Sequence, residues 1–318
     1  MNQLEAMRVF AAVVEGRGFS AASRSLGVPL PTVSRRIAEL EKQLGAQLLM
    51  RSTRKVVVTD SGRHYYESVC RILESIADAE AEAAGEYRSP RGQLFITAPA
   101  LFGKLHVLPI VRDFMASHSE ITARLHFSNF VANLMEEHID LGVRIATLTD
   151  ASLIAVKVGE VRQVCCASPG YLAARGLPHM PEELVKHDCI TTSTSGNPIP
   201  WLFRSPGQAQ QSVTVAPKIS VNAADAAAEA AIAGGGVTWL YSYQAAPHLA
   251  VGSLAAVLTA FEGDAVPVSI VYPAGRLVPQ KVRHFIDFAA ERLRAALHEV
   301  NSCCDAAFAR SGTPPPLT

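Results

Sequence analysis

The sequence has no uncharged apolar run of the roughly 18 or more residues that a membrane-crossing helix requires. Its opening, MNQLEAMRVF, carries Glu5 and Arg8 where a secretory leader has an unbroken apolar stretch. These two absences predict a cytoplasmic protein with no membrane partner. The cysteines, Cys70, Cys165, Cys166, Cys189, Cys303 and Cys304, form no CxxC pair, and none stands beside a histidine at zinc spacing. No metal and no other cofactor is therefore expected, and the thiols read as free, with vicinal Cys165 and Cys166 open to a redox-sensing role. A GxSxG elbow, a standout Cys/His pairing and paired catalytic carboxylates are also missing, and Gly234 to Gly236 stop a helix without the GK[ST] of a phosphate loop. This argues against an enzyme. Net charge is zero, with 29 basic and 29 acidic side chains.

That zero conceals an asymmetry. Residues 1–60 hold nine Lys and Arg against five Asp and Glu, so the first segment is +4 and the remainder −4. A basic head on a mildly acidic body points to phosphate contact at the N-terminus alone. Within that head, Leu4, Met7, Phe10, Ala11 and Val14 recur at helical spacing, and Ala21, Ala22 and Leu26 complete a small core. Ser20 is expected to open a short helix through its hydroxyl, Gly27 to make the turn, and Pro31 to begin a second helix. Val33, Ile37, Leu40 and Leu44 then point inward while Thr32, Ser34, Arg35 and Arg36 point outward. This pattern is a helix-turn-helix able to enter the major groove of double-stranded DNA. After Gly45, two short strands flank a basic tip with Arg51, Arg54 and Lys55, a wing suited to phosphate or minor-groove contact.

From residue 61 the apolar period changes. Tyr65, Val69, Ile72, Ile76, Ala79 and Ala83 follow a heptad seam, which predicts a long linker helix pairing two copies of the chain. Ser89, Pro90, Arg91 and Gly92 end it. Beyond, apolar strands alternate with helices, including one over 131–138, as in the parallel sheet of an α/β domain. The domains expected are 1–60 (winged helix-turn-helix), 61–88 (coiled-coil linker), 89–300 (α/β) and 301–318 (disordered tail). Asn222 and Asp225 read as caps of the alanine-rich helix from residue 224, and Trp201 and Phe203 as packing residues or a gate.

The run SAASRSLGVPLPTVSRRIAELEKQLGAQLLMRSTRKVVVTDSG closely resembles the DNA-binding domain of the LysR-type transcriptional regulators. TAPALFGKLHVLP, DLGVRI, CCASPGYLAARG and AIAGGGVTWL extend the resemblance, in the family's order, to about residue 297. The resemblance implies a two-subdomain, periplasmic-binding-protein-like effector domain, with the chain crossing between subdomains near 160–168 and 264–272. It implies a dimer of dimers, with RNA polymerase a further candidate partner. Carried onto this chain, it places Pro31, Thr32, Ser34 and Arg35 on DNA from the recognition helix and Arg51 and Arg54 from the wing. Leu30 departs from the family, where a polar residue is common, and offers instead an apolar contact to a thymine methyl.

The strand-to-helix passage TAPALFG offers backbone N–H groups from Ala100 to Gly103 as a seat for a carboxylate. Together with the cleft the family implies, this suggests a small organic acid or aromatic effector, lined by Thr97, Pro99, Ala100, Phe102, Ser128, Asn129, Arg144, Thr147 and Thr194. Structural roles stand beside these: Thr97 as a helix cap, Phe102 as core, Arg144 as the partner of a carboxylate. Two other functions remain open, a regulator without a ligand and an α/β solute-binding protein or enzyme carrying an accessory DNA domain.

Overall fold

The computed structural model describes residues 2–51, 56–83, 89–192, 199–204, 210–275 and 278–310. The chain divides into two units, Met1–Ser89 with Leu277–Gln280, and Pro90–Arg276 with Lys281–Thr318.

In the first unit, α1 (Gln3–Glu15), α2 (Phe19–Leu26) and α3 (Leu30–Leu44) precede an antiparallel wing of β1 (Leu49–Arg51) and β2 (Val56–Val58), followed by α4 (Asp60–Ala83). Phe10 lies at 0 % exposure among Val9, Val13, Ala22, Ile37 and Leu40. The buried residues of α1 are Ala6, Met7, Val9, Phe10, Ala11 and Val13, with Leu4 and Val14 only half-buried at the edge. Leu26 and Leu44, expected inside, are exposed. Each is the last residue before a left-handed glycine cap, Gly27 at φ 64° and Gly45 at φ 63°, where the helix ends and the chain turns away. A bond of 2.7 Å from Ser23 Oγ to the Val28 carbonyl holds the first turn. The α2 helix begins one residue before Ser20, after Gly18 and with no side-chain cap; Ser20 is an exposed position inside it. Packing of Phe19 onto the core accounts for the earlier start. Similarly, α3 begins at Leu30 and Pro31 takes its second position, with Pro29 as N-cap.

The second unit opens with β3 (Gly92–Ala98), α5 (Ala100–Phe102), a π turn (Gly103–Val107), α6 (Leu108–Ser117), β4 (Ile121–Phe127), β5 (Leu141–Ile145) and β6 (Leu153–Val161). It continues with β7 (Gln163–Ala167), α7 (Pro169–Arg175), β8 (Cys189–Thr191), the hairpin strands β9 (Ile199–Arg204) and β10 (Gln210–Val215), β11 (Pro217–Ser220), α8 (Ala224–Ile232), β12 (Val237–Tyr241), α9 (Ser242–Ala250) and β13 (Ala255–Val257). A return strand β14 (Val266–Pro273) and the long α10 (Gln280–Arg310) close it. Two five-stranded sheets result, ordered β4-β3-β5-β14-β6 and β11-β8-β12-β7-β13.

Each sheet is mixed, where the sequence predicts parallel strands. β3 runs parallel to β4 and β5, but β14 is antiparallel to β5 and β6. Likewise β8 runs parallel to β11 and β12, but β7 is antiparallel to β12 and β13. The reversal follows from connectivity. The chain leaves the first sheet through Arg162 alone, the one residue between β6 and β7, and comes back through 258–265. The strands that carry it across enter each sheet against the direction of the helix-linked strands. The ranges expected as crossovers, 160–168 and 264–272, are mostly filled by β7 and β14, which already belong to the receiving sheets.

Three further expectations change. No helix forms over 131–138; residues 134–138 are turn, with Asn133 Oδ1 accepting the N–H groups of Met135 and Glu136 as an N-cap would and His138, at φ 57°, turning the chain away before a helix can continue. Neither Asn222 nor Asp225 caps α8; its N-cap is Ala223, and Asp225 Oδ1 accepts from the adjacent Ala226 N–H. The expected tail 301–318 is helical as far as Arg310, while 311–318 lie outside the described residues. Cys304 and Phe308, one turn apart on α10, are fully buried against Val164, Leu240 and Ala245 of the second sheet's core. Phe308→Ala should cost about 3–5 kcal/mol of unfolding free energy, read by chemical denaturation. A loss below about 1 kcal/mol would place the end of α10 outside the core.

Candidate functional site

The two arginines at the start of α3 have different tasks. Arg35 extends into solvent with its side chain 72 % exposed and only a loose 3.9 Å pairing to Glu39 one turn on. Arg36, expected to face outward beside it, is 20 % exposed and paired at 2.7 Å with Glu5 of α1. It therefore clamps the recognition helix onto the domain. Pro31 is exposed and Thr32 and Ser34 are half-buried along the same helix, so Pro31 and Arg35 project furthest, with Leu30 44 % exposed at the leading end. Ser20 adds an exposed hydroxyl from α2. Arg54 and Lys55 lie outside the described residues, as does the side chain of Arg51, whose backbone ends β1. The wing itself is anchored by Glu41, whose Oε1 accepts from the N–H groups of Leu48 and Leu49 at 2.8 and 3.0 Å.

On α4 the heptad positions divide. Tyr65 and Val69, expected on a seam between chains, belong to the unit's own core: Val69 is 0 % exposed, and the Tyr65 ring lies 5.4 Å from that of Phe10. The first turns of α4 pack on α1, which occupies that face. Further along, Ile72 is 42 % exposed, Ile76 half-buried and Ala79 exposed. These three seam residues lie outside the unit's own core, and the Ala83 side chain lies outside the described residues.

In the second unit, the end of β3 brings several predicted residues together. Thr97 is wholly buried, and its hydroxyl donates to the His126 carbonyl on β4, so it ties two strands instead of capping a helix. Thr97 and Arg144 flank Gly142: a Cβ there would stand 2.9 Å from Thr97 Cγ2 and 3.2 Å from Arg144 Nη1. The Arg144 guanidinium, 9 % exposed, donates to the carbonyls of Val143 and Ala132, and no described carboxylate forms an ion pair with it. Burial pulls its pKa down, opposed by the more distant charge of Glu137.

Pro99 is the N-cap of α5, and the next N–H, at Ala100, is not free as expected: it donates to Asn129 Oδ1 at 3.2 Å. The amide of Asn129 in turn donates to the Asn222 carbonyl, just after β11 of the second sheet, also at 3.2 Å. One side chain thus spans the space between the sheets. Ser128 Oγ accepts from the Phe130 N–H and shapes this corner. Phe102 does not line it. The ring is fully buried, 4.8 Å from His106 and 5.1 Å from Tyr243 of α9, and forms part of the packing between the sheets. The same burial pulls the His106 pKa down and favours a neutral ring. Thr147 is exposed in the segment after β5, and Thr194 lies outside the described residues. Asn222 and Tyr243 were not legible as part of this region, since each is more than 90 residues from the β3 segment and stands in no motif.

A cavity of about 800 Å³ lies elsewhere, lined by Tyr171, Arg175, Asp188, Lys218, Gly234 and Ser253, and includes none of the expected effector residues. Its charges answer one another, with Lys218 at 2.9 Å and Arg175 at 3.6 Å from the Asp188 carboxylate. Trp201 and Phe203 are buried packing residues beside Trp239. Cys165 and Cys166 point into separate cores, the first with Cys189 and the second with Cys304. Burial pushes Cys165 well up and Cys166, Cys189 and Cys304 up to about 12, which favours the neutral thiol at each. No described helix is long and apolar enough to cross a membrane.

Comparison with known proteins matches residues 4–63 to the bacterial regulatory helix-turn-helix protein model of the lysR family and residues 88–294 to the LysR substrate binding domain. An HTH-type transcriptional regulator of Xanthomonas campestris is 35 % identical, over 95 % of this chain and 88 % of its own length. Among solved structures, CrgA of Neisseria meningitidis, a LysR-type transcriptional regulator, is 29 % identical with a TM-score of 0.59, covering 91 % of this chain and 98 % of that one. The full-length virulence activator AphB of Vibrio cholerae has the same coverage and identity at a TM-score of 0.58. With both of its units matched in order, this chain belongs to the LysR family of transcriptional regulators, a helix-turn-helix DNA-binding domain followed by an effector-binding domain.

Proposed function

We propose that this regulator acts in the cytoplasm, reads promoter DNA with Pro31, Thr32, Ser34 and Arg35, and pairs with a second copy along Ile72, Ile76 and Ala79. We also propose that it answers to a small carboxylate at the Ala100–Asn129 corner. The observation that carries the effector reading is Asn129. Its amide oxygen sits on the Ala100 N–H and its amide nitrogen on the Asn222 carbonyl, so it stands where an anion would engage both sheets. A carboxylate that replaced this amide would trade a neutral acceptor for a charged one at the opening of a helical segment, and charge-assisted bonds are roughly twice as strong as neutral ones. Arg144, buried with carbonyl partners only, adds positive potential from the same end of the first sheet. A bound acid would favour one arrangement of the two sheets over another and so bias a two-state element.

The assembly follows from exposure. Ile72, 42 % exposed, lies on α4 beyond the part spent on the domain's own core, which supports pairing with the same stripe of a second α4. Two such pairs would give the tetramer that the resemblance implies. Pairing sets the spacing of two recognition helices, as half-sites about one turn of DNA apart require. Polymerase contact is an expectation of the family resemblance.

Three measurements test this reading. Thermal unfolding of the full chain with aromatic and short aliphatic carboxylates should show a rise in melting temperature, about 2.7 kcal/mol of stabilisation at a hundredfold excess over Kd. The matching amides and alcohols should be inactive, and a panel in which acids and amides behave alike rejects the anion site. Arg35→Ala should weaken binding to the regulator's own upstream DNA by about 1–3 kcal/mol. Arg36→Ala, which breaks a 2.7 Å pair at a largely buried guanidinium, should lower stability by about 1–3 kcal/mol, and anisotropy titrations in which the two variants behave identically would remove Arg35 from the interface. Sedimentation should find Ile72→Asn dissociated and Val69→Ala destabilised yet still associated; an Ile72→Asn variant that sediments like wild type sinks the pairing face.

A further inference from the structure

The two passages of the chain between the sheets meet at a buried charge cluster that the regulator reading does not use. Arg162 is the outward crossing, and Glu262 lies on the return, between the short helical turn Thr259–Phe261 and β14. Arg162 Nη1 stands 3.8 Å from Glu262 Oε2, and its Nη2 stands 2.8 Å from Asp305 Oδ1 on α10. The guanidinium also lies over the Phe308 ring, 5.2 Å from its centre, and Nη2 donates to the Asn301 carbonyl. The backbone here is held as closely. Ser242 N–H donates to the Arg162 carbonyl at 2.7 Å, Arg162 N–H to Ser242 Oγ, Ser242 Oγ to Asn301 Oδ1, and Asn301 Nδ2 to the Glu160 carbonyl. Both crossings, the start of α9 and the last third of α10 therefore converge on Arg162, α9 through its backbone and the others through its guanidinium.

Glu262 is the unsettled member. Its side chain is 5 % exposed, and neither carboxyl oxygen has a hydrogen-bond partner among the described residues; the same holds for Arg162 Nε. A buried carboxylate without hydrogen bonds is costly, and its one cation sits closer to another acid. The titratable and charged groups that act on Glu262 are Arg162 from the crossing, Cys165 from β7, and Cys304 and Asp305 from α10. Burial first, then the Asp305 charge, push the Glu262 pKa up against the pull of Arg162, to about 7.

We infer that Glu262 is a proton-operated latch on the double crossing: protonated, it leaves Arg162 to Asp305 and α10, and ionised, it draws the guanidinium and binds the return passage to the outward one. The proton is exchanged with water, and no other reactant is needed. Both passages between the sheets meet at this cluster, so the state of one carboxyl sets how firmly the return is tied to the outward crossing. The folded chain holds a proton that an unfolded glutamic acid, with an ordinary pKa of 4.5, gives up. Between that value and neutrality the group's contribution to stability falls as pH rises, and above neutrality it is constant.

The test is a pH titration of the full-length, isotope-labelled chain by NMR, without DNA or effector, so that failure here leaves the regulatory reading intact. The side-chain N–H of Arg162 and the backbone N–H groups of Val161, Gln163 and Gly263 should shift together with a midpoint near neutral pH. Glu262→Gln should abolish that shared transition. Asp305→Asn, a change at a half-exposed side chain that frees Arg162 and removes a like charge, should move it about 1–2 pH units toward acid. This second variant decides the matter if Glu262→Gln fails to fold. A transition that persists in Glu262→Gln, a midpoint unmoved in Asp305→Asn, or wild-type crossing signals that do not titrate near neutrality would each overturn the latch.

Discussion

The second unit rests on one constraint: its chain passes twice between two sheets, and the second passage ends in the middle of the first sheet, not at its edge. β14, formed after every element of the second sheet, is paired on both sides, by β5 and β6. The first sheet is not complete until the whole of the second has been traversed. Long-range closure of this kind costs loop entropy before it is repaid in contacts. The apolar run VPVSIVYP suits the place: Val268 to Val271 are buried in succession, so both faces of the strand are covered there. The mixed direction of both sheets, the Phe102–Tyr243 contact between them and the seating of α10 on the second sheet are consequences of the same route.

Legibility in the sequence tracked distance along the chain. Helix spacing, the two glycine stops and the proline at the start of α3 are local signals, and they gave the helix-turn-helix to within a residue at each boundary. What escaped depended on partners far away. Arg36 looks like Arg35 in sequence, and only the arrival of Glu5 from α1 separates them. Val69 fits a heptad perfectly well, and only α1 lying across that face turns it inward. The end of α10 reads as a polar tail until Cys304 and Phe308 find the core made by β7, β12 and α9. In the candidate effector region, Thr97 and Asn129 drew notice because they border strand ends, whereas His126 carried no signal and Asn222 read as a helix cap, not as the partner of Asn129.

The regulator thus divides its polar chemistry into two kinds. Residues with short, buried or paired bonds, such as Arg36, Glu41 and Thr97, fix geometry and have little capacity left for a ligand. Residues held loosely, such as Arg35 with its 3.9 Å partner and Asn129 with two long amide bonds, retain bonds they can exchange. Exchangeable contacts on a rigid frame are what a reader of DNA and a sensor of small molecules both require, since a group already strongly satisfied gains nothing from a newcomer. Buried Cys165 and Cys166 sit at the opposite extreme and serve the two cores of the second sheet.

The split use of α4 makes the helix behave like a keyed shaft. Tyr65 and Val69 lock its first turns into the reading head, while Ile72, Ile76 and Ala79 lie on the free portion. A helix turns about 100° per residue, so a single residue gained or lost between Val69 and Ile72 would swing the free apolar stripe about a quarter of the way round. Seven residues bring it back to within about 20°. Evolution can therefore lengthen or shorten this shaft only in strides close to two turns, and proteins built on this plan should differ here by whole strides, each adding about 10 Å of reach without changing the bearing of the head.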